Sequence, residues 1–403
     1  MGVRVLHSFP HKIGAERICG IAWHQVAGAA EAGGDLTVYA GAVKRPLPPD
    51  VRTRTTLARG RVRIPYRVLG TRRALALHDR IVARALPKLA GGVDVVHTWP
   101  LAGLRTLRTA KRLGIPTVLE RPNAHTRFAY ATVARECERL GVVLPSDQEH
   151  AFNAQKLRQE EAEYDLADYL LCPSDFVLGT FLDEGFAPDR LLRNTYGYDE
   201  TVFFEAADPR RDGRTGLHAL FVGVCAVRKG LHFALEAWLA SPASETGTFS
   251  IAGQFVPDYE RKLADMLAHP SVRVLGHRND VPELMRDSDV MLLPSIEEGF
   301  GLVCVEAIGS GCVPLVSDAC TELCVHERDA LVHAVGDVET LTDQLTLLDR
   351  DRGRLGELRA GCLAAAPTLT WTASGHQLLE AYERAASGSE SQSARSPAWA
   401  PSP

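Results

Sequence analysis

Short apolar runs alternate with longer segments of helical periodicity along most of the chain. Val3 to Leu6 predicts a first strand, an apolar helical period follows from Ile18 to Val26, and a second strand is predicted from Leu36 to Tyr39. The same signals predict further strands at residues 93–97, 116–119, 220–222, 249–251, 272–274, 290–293 and 313–316. This alternation is typical of parallel sheets covered by helices on both faces, so the predicted class is α/β.

The pattern starts afresh near the middle of the chain, which predicts two doubly wound domains. A length of 403 residues, at roughly 150 residues per domain, also favours two large domains. The switch between them is predicted near Tyr196 to Phe204, which gives a first domain over residues 1–198 and a second over residues 199–370. Residues 387–403 contain six Ser and three Pro and are expected to form a disordered tail.

The charge and hydropathy of the chain exclude several classes of protein. The 45 Lys and Arg residues are balanced by 50 Asp and Glu residues, so no nucleic-acid partner is expected. The longest apolar runs, such as Val290 to Pro294, are far shorter than the roughly 20 residues that span a bilayer. No separate apolar targeting segment precedes the first strand, which predicts a cytoplasmic protein. The nine scattered cysteines are expected to be reduced thiols.

One segment departs from the overall balance of charge. Residues 44–73 contain ten Lys and Arg residues and a single acid, Asp50. Two interpretations are open: a solvated mobile loop, or a patch that contacts an anionic acceptor or the surface of an acidic membrane. The second interpretation would make the protein peripheral to a membrane.

The segment around residue 300 has the chemistry of a phosphate and sugar site. Gly299 and Gly301 precede a helix predicted to begin near Leu302, and the free N–H groups of a helix start bind anions. Without a β-carbon, both glycines allow a phosphate to approach the main chain. Glu306 lies about one turn inside this helix, where a carboxylate can hold two vicinal hydroxyls. Glu298 precedes the helix and is expected nearer the reacting end of the ligand.

These residues resemble the retaining family-4 glycosyltransferases. The Glu-x7-Glu signature of that family is present as Glu298 and Glu306, and the similarity is dense from about Leu220 to Asp337. The segments similar to those that surround the signature are residues 276–284, 289–295, 311–317 and 329–332. The resemblance implies the GT-B fold, in which two Rossmann-like domains face each other. It also implies a C-terminal helix, at residues 371–386, that crosses back to the first domain.

The resemblance further implies a donor site carried mainly by the second domain. Glu306 would hold the ribose, Glu298 the donor sugar, and the main chain of His277 to Asn279, including Arg278, would border the base. The loop and helix start expected to bind the donor comprise Glu298, Gly299, Phe300, Gly301 and Leu302.

The basic pair that binds the donor diphosphate in this family departs here from its usual form. The family's Val-Gly-Arg-Leu, followed by Lys-Gly, reads here as Gly223-Val224 and then Arg228-Lys229. Lys229 therefore matches, but Val224 stands at the arginine position. Either Arg228 compensates through a bidentate guanidinium or it points to solvent, and an inactive relative stays possible. A P-loop is excluded because no glycine precedes the lysine and no Ser or Thr follows it.

In the first domain the resemblance points to two positions at the cleft. Gly14 matches the glycine-bearing loop after the first strand, and His125 follows the strand after which the family often has a histidine that faces the transferred sugar. Each residue has the alternative of a purely structural role in its loop. Glu120, Arg121 and Asn123 are expected either to bind acceptor hydroxyls or to hydrogen-bond their own loop.

The implied function is retaining transfer of a sugar from a nucleotide-sugar donor to a hydroxyl of a small-molecule, sugar, cyclitol or lipid acceptor. His125, Lys229 and Glu298 are expected at the reacting centre, without a cofactor or metal. Asp287-Ser288-Asp289 looks like a metal-binding Asp-x-Asp motif, but it joins a helix end to a strand, which argues against a metal. Two alternatives are a sugar phosphorylase of the same architecture and a non-catalytic nucleotide-sugar-binding protein.

Overall fold

The computed structural model describes residues 2–59, 62–63, 69–205 and 215–393. Within these ranges the strands form a seven-stranded sheet, a six-stranded sheet and one short antiparallel pair. Every strand pairing in the two large sheets is parallel. The predicted class, two doubly wound parallel-sheet domains, is therefore confirmed.

The seven-stranded sheet forms the first domain, with strand order β3-β2-β1-β6-β7-β8-β9. The central strands are buried on both faces, which is why they appear in the sequence as continuous apolar runs. The elements are β1 (Arg4–Ile13), α1 (Ile18–Glu31), β2 (Asp35–Val43), β3 (Arg52–Thr55), β4 (Ala58–Arg59), β5 (Val62–Arg63), α2 (Thr71–Leu89), β6 (Val95–Thr98), α3 (Leu104–Leu113), β7 (Thr117–Glu120), α4 (Thr126–Leu140), α5 (Ala154–Leu166), β8 (Tyr169–Cys172), α6 (Asp175–Asp183) and β9 (Leu191–Arg193).

The six-stranded sheet forms the second domain, with strand order β12-β11-β10-β13-β14-β15. The chain leaves its centre at β10 and returns at β13, so a crevice lies at the carboxyl ends of these two strands, where ligands bind in open α/β sheets. The elements are β10 (His218–Val222), α7 (Leu231–Ala240), α8 (Ala243–Thr246), β11 (Thr248–Ala252), α9 (Pro257–Leu267), β12 (Val272–Gly276), α10 (Val281–Asp287), β13 (Val290–Leu293), α11 (Leu302–Gly309), β14 (Val313–Ser317), β15 (Leu331–His333), α12 (Val338–Arg350) and α13 (Arg352–Ala365).

The last helix, α14 (Trp371–Ser393), returns to the first domain and packs along α1. A β-carbon at Gly28 would lie 3.0 Å from the Cα of Gly375, so two glycines allow the two helices to approach closely. Tyr382 is buried in the core of the first domain. The helix is longer than the predicted 371–386 and includes the first seven residues of the expected tail, whereas residues 394–403 lie outside the described ranges.

Helix α4 belongs to the first domain by sequence but packs against the second. Val133, Cys137 and Leu140, on its inner face, are buried in the same apolar cluster as the strands of the second sheet. The segment 141–153 that follows has no helix or strand and runs across the mouth of the crevice. The two domains are thus in contact through α4 as well as through the connection between them.

Four strands of the two large sheets, namely β3, β8, β9 and β15, were not predicted by the sequence pattern, nor was the short pair of β4 and β5. Each of the four has only three or four residues, too few for a periodic signal, and β3 is exposed along its whole length. Pairing with the neighbouring strand defines them.

In the described part of the chain, no helix is long and apolar enough to cross a membrane.

Candidate functional site

A buried cluster of charges lies at the carboxyl end of β13, in the loop that leads to α11. Lys229 pairs with the carboxylate of Glu298, and Arg228 Nη1 lies 3.3 Å from Glu298 Oε1. Arg228 Nη1 also donates to the main-chain oxygen of Glu297 at 3.0 Å, and His150 Nε2 lies 3.3 Å from Glu297 Oε2. Burial alone would raise the pKa of Glu298, but the charges of Lys229 and Arg228 hold it well below its usual range. Glu298 is therefore a carboxylate at neutral pH.

Three members of this cluster, His150, Arg228 and Lys229, line a cavity of about 330 Å³ between the two domains. The second domain contributes Val224 and the turn that carries Arg228 and Lys229, while the first contributes Arg17 and the segment 141–153. A concave site of this volume with a few convergent charged groups is the usual form of a small-molecule site.

Glu306 lies one turn inside α11, as predicted. Its carboxylate is partly exposed and makes no hydrogen bond or ion pair with any described residue. Burial raises its pKa to about 7. A carboxylate without a protein partner, beside a helix start, is available to hold hydroxyl groups of a ligand.

A glycine is required at position 299 because the two domains are in close contact there. Its carbonyl oxygen accepts a 2.7 Å hydrogen bond from Ser174 Oγ of the first domain. A β-carbon at Gly299 would overlap the carbonyl oxygen of Pro122, also of the first domain. The sequence suggested that this space was kept for a phosphate, whereas the backbone of the other domain fills it.

The remaining residues of the loop fix how α11 begins. Gly301 adopts φ +75°, a left-handed conformation that favours glycine, immediately before α11 starts at Leu302. Phe300 is buried, and its ring centroid lies 5.2 Å from that of Tyr196 in the connection between the domains. Phe300 thus anchors the loop through packing.

The structure shows the surroundings of Val224, which stands where the resembled family has an arginine. Gly223 takes φ +147° at the end of β10, and Val224 follows with 43% of its surface exposed. The guanidinium of Arg228 faces the loop of Glu297 and Glu298, and its side chain is only 17% exposed, so it does not point to solvent. That it compensates for Val224 stays a prediction.

Gly14, His277 and Arg278 lie in different parts of the structure. Gly14 adopts φ +77° after β1, and a β-carbon there would lie 2.9 Å from the backbone nitrogen of Arg45, which accounts for the glycine by packing. His277 is exposed just beyond β12, and Arg278 pairs with Asp280. The two residues after β12 are thus open to solvent.

His125 lies inside the first domain, and the structure does not bring its ring to the charge cluster. The residue is 2% exposed, and its ring centroid lies 5.2 Å from that of Tyr164 and 5.1 Å from that of Phe181. Burial, with smaller effects of Arg121 and Arg127, lowers its pKa to about 4. The ring is therefore neutral at pH 7 and packed like a core residue.

Arg121 and Glu120 are also turned into the first domain. The guanidinium of Arg121 lies 4.4 Å above the Tyr164 ring, with Nη1 3.8 Å from Glu160. The carboxylate of Glu120 accepts hydrogen bonds from Tyr196 Oη at 2.6 Å and from Gln25 Nε2 at 3.1 Å. These partners favour the alternative in which both residues hold the local structure.

Asn123 is the acceptor candidate that lies nearest the cavity. Its Nδ2 donates at 3.2 Å to Glu149 Oε1, and Glu149 lines the cavity. Burial would raise the pKa of Glu149, but His150 and Arg228 lower it overall. Glu149, His150 and Arg17 were missed by sequence reasoning because they lie in irregular segments without a motif.

Ionic and hydrogen-bonded contacts hold the domains together on both sides of the cavity. Arg193 of the first domain pairs with Glu322 of the second, which also accepts from the backbone N–H of Asp175 at 3.0 Å. On the other side, Glu136 of α4 lies 2.8 Å from His232 Nε2 of α7. The described conformation is therefore a closed one.

The predicted basic segment is only partly described. Arg45 stacks 3.4 Å above the Trp23 ring and Arg52 pairs with Asp35 at 2.6 Å, whereas residues 60–61 and 64–68 lie outside the described ranges. A larger groove, of about 850 Å³, lies between α2 and α3 on the outer face of the first domain. Its six basic residues are Arg80, Arg84, Arg105, Arg108, Lys111 and Arg112.

The Asp-x-Asp sequence has a structural explanation. Asp289 is buried, pairs with Arg352 at 3.1 Å and Arg359 at 3.2 Å, and accepts from the backbone N–H of His218 at 3.0 Å. Both of its carboxylate oxygens are thus engaged in joining β10, β13 and α13. Among the residues that the structure describes, no cluster of His, Cys, Asp and Glu forms a metal-binding group.

Comparison with known proteins places this site in context. Residues 216–351 match the family model described as Glycosyl transferases group 1. The chain is 31% identical over 90 residues to UDP-Gal:alpha-D-GlcNAc-diphosphoundecaprenol alpha-1,3-galactosyltransferase of Escherichia coli, a match that covers 22% of this chain and 23% of that protein. It is 34% identical over 145 residues to D-inositol 3-phosphate glycosyltransferase of Mycobacterium tuberculosis, covering 33% of this chain and 29% of that protein. The chain thus spans only about a quarter of the length of these curated relatives.

The likeness of fold covers almost the whole chain. The structure of HepE from Anabaena in complex with UDP superposes with a TM-score of 0.65 at 15% identity, over 95% of this chain and all of that one. The architecture is therefore GT-B, as the resemblance implied, with the last helix returned to the first domain.

Proposed function

We propose that the protein is a retaining glycosyltransferase that transfers a sugar from a nucleotide-sugar donor to a hydroxyl acceptor. The observation that carries the proposal is the pairing of Lys229 and Arg228, which line the interdomain cavity, with Glu298 of the loop before α11, the helix that carries the free carboxylate of Glu306. The match of residues 216–351 to a glycosyltransferase family supports the same activity.

In this proposal the second domain binds the donor. Glu306 accepts hydrogen bonds from the two ribose hydroxyls, and Glu298 accepts them from the donor sugar. Lys229 and Arg228 stabilise the negative charge that develops on the leaving diphosphate. The exposed segment at His277 and Arg278 borders the base.

The geometry favours Glu298 as a positioning carboxylate and not as an enzyme nucleophile. Two cations hold its pKa well below the usual range, which makes it a weak base and a weak nucleophile. Retention then requires departure and attack on the same face, with the leaving phosphate accepting the proton of the acceptor hydroxyl. Closure of the two domains excludes water, which would otherwise hydrolyse the donor.

On the acceptor side we propose a hydroxyl compound that carries phosphate or a lipid diphosphate. The names of the two relatives given above contain an inositol phosphate and a lipid-linked diphosphate. The basic groove between α2 and α3 suits an anionic acceptor or a peripheral contact with an acidic membrane.

The test is thermal unfolding with UDP-, GDP-, ADP- and TDP-sugars, each with and without inorganic phosphate. A ligand at a hundredfold excess over its Kd stabilises the folded state by about 2.7 kcal/mol, an easily measured shift. One nucleotide series should raise the Tm, and Glu306→Ala should abolish that rise. Glu339→Ala, an exposed position on α12, is the control and should keep it.

Three further outcomes separate the alternatives. Turnover that depends on inorganic phosphate would identify a sugar phosphorylase, and donor binding without turnover would identify a non-catalytic binding protein. Activity that persists in excess EDTA is expected, and activity that EDTA abolishes would contradict the metal-independent mechanism.

A further inference from the structure

The charges around the interdomain cavity leave one cation free. Lys229 is paired with Glu298, Arg228 is shared between Glu298 and Glu297, and Glu149 adds a further acid to the wall. These five side chains sum to a net negative charge. A donor diphosphate, which carries about two negative charges, therefore meets two cations whose attraction is already reduced by the neighbouring acids.

Arg17 is the exception. It lines the cavity from the opposite wall, at the end of the connection between β1 and α1. Its side chain is exposed and forms no ion pair with any residue that the structure describes. It is the sole arginine or lysine of the described cavity wall that lacks a carboxylate partner.

The backbone holds Arg17 in an unusual conformation. It adopts φ 57° immediately before α1, one of three non-glycine residues with positive φ in the described chain. A left-handed conformation at a non-glycine residue costs on the order of 1 kcal/mol or more and persists only where neighbouring structure imposes it. In this conformation the Arg17 side chain lies against the cavity and outside the first turn of α1.

Val224 faces the same cavity from the second domain. It stands at the position where the resembled family has an arginine, and its exposed apolar side chain offers no charge to a phosphate. The second domain therefore lacks a cation at the position of Val224, and the first domain provides an unpaired cation, Arg17, at the same cavity.

We propose that Arg17 binds the diphosphate of the nucleotide donor and supplies the positive charge that Val224 does not. This inference rests on the proposed function and adds a consequence: the phosphate site is complete only when the first domain closes onto the second. A guanidinium can contact oxygens of both phosphates at once, which a single ammonium cannot do as rigidly. Arg17 then binds the donor and couples that binding to domain closure.

The experiment is calorimetric titration of UDP, GDP, ADP and TDP, and of the four matching nucleosides, into the full-length chain and its variants. For the nucleoside diphosphate that the wild type binds, Arg17→Ala should raise the Kd at least tenfold. Its affinity for the nucleoside should stay unchanged, because a nucleoside carries no phosphate. Arg273→Ala, which removes an exposed arginine of β12, is the matched control and should bind as the wild type does.

Adding Val224→Arg to Arg17→Ala should restore most of the lost affinity, because the charge returns from the other wall. Arg17→Ala with wild-type affinity for the diphosphate, or with an equal loss for the nucleoside, would overturn the inference. If the double variant binds the diphosphate no more tightly than Arg17→Ala does, Arg17 does not replace an arginine at the position of Val224. A wild type that binds none of the four diphosphates would instead refute the proposed function itself.

Discussion

At the scale of single residues, Glu306 has a measurable electrostatic signature. Its carboxylate has no described partner, and burial raises its pKa to about 7 from an ordinary 4.5. A carboxyl group whose pKa is higher in the folded state binds protons more tightly there. Folding stability is therefore lost as the pH rises from about 4.5 through 7, and the loss is complete above pH 7.

We expect Glu306→Gln to remove this loss. The variant and the wild type should be similarly stable near pH 4.5, and the variant should be more stable by roughly 1–3 kcal/mol at pH 8, since one pKa unit corresponds to about 1.4 kcal/mol. Urea unfolding at pH 5, 6, 7 and 8 measures this difference. Glu380→Gln, on an exposed face of α14, is the control and should show no such trend. If the difference in stability between Glu306→Gln and the wild type does not change with pH, Glu306 is not a buried, unpaired carboxylate.

At the scale of elements, the loop before α11 and the loop after β7 touch through Gly299. Because a β-carbon at Gly299 would overlap the carbonyl oxygen of Pro122, Gly299→Ala should push these loops apart and disfavour closure. We expect a destabilisation of roughly 1–3 kcal/mol and at least a tenfold fall in kcat/KM. Gly356→Ala is the control, since nothing lies within 4 Å of its added β-carbon in α13, and it should be neutral or slightly stabilising.

The docking of α4 on α7 depends on a pH-sensitive pair. Burial would raise the pKa of Glu136, but hydrogen bonds from His232 and Arg139 lower it to about 2. Because the folded-state pKa lies below the unfolded value, the stabilisation is complete above about pH 4.5 and is lost as the pH falls towards 2. Glu136→Gln should therefore cost roughly 1–3 kcal/mol at pH 7 and progressively less below pH 4.5, as measured by urea unfolding. An equal cost at pH 3 and pH 7 would exclude a charged pair.

At the scale of the whole molecule, charge is distributed very unevenly. Residues 1–113 contain 20 Lys and Arg residues against six Asp and Glu residues, whereas the remaining 290 residues contain 25 against 44. The groove between α2 and α3 lies in the basic part, and none of its six basic side chains pairs with a carboxylate among the described residues. From this distribution we expect the first domain to face an anionic surface.

We expect the protein to sediment with vesicles that contain anionic lipid and to be released as the salt concentration rises, because surface charges are screened. Arg84→Glu combined with Arg108→Glu should weaken this binding at least tenfold. Lys262→Glu combined with Arg273→Glu, the same charge change on the second domain, should leave it nearly intact. Equal losses in both double variants would show that net charge alone governs the binding.

Local sequence patterns were sufficient for the order of the main elements and for the position of the loop that precedes α11. The bounds of β13 agree with the predicted strand at residues 290–293, because a continuous apolar run records burial directly. Glu298 and Glu306 could be found because they flank a single helix start, where side-chain roles follow from spacing along the chain.

The three-dimensional arrangement decided which distant residues share the cavity. Arg17 and Glu149 are far from Lys229 in sequence, and only the packing of the first domain against the second brings all three to one cavity. Packing within the first domain buries His125 against Tyr164, and contact between the domains fills the space beside Gly299 with Pro122. Local periodicity records whether a residue is buried or exposed. It carries no information about the partner that buries it, because that partner is set by how two separate sheets close on each other.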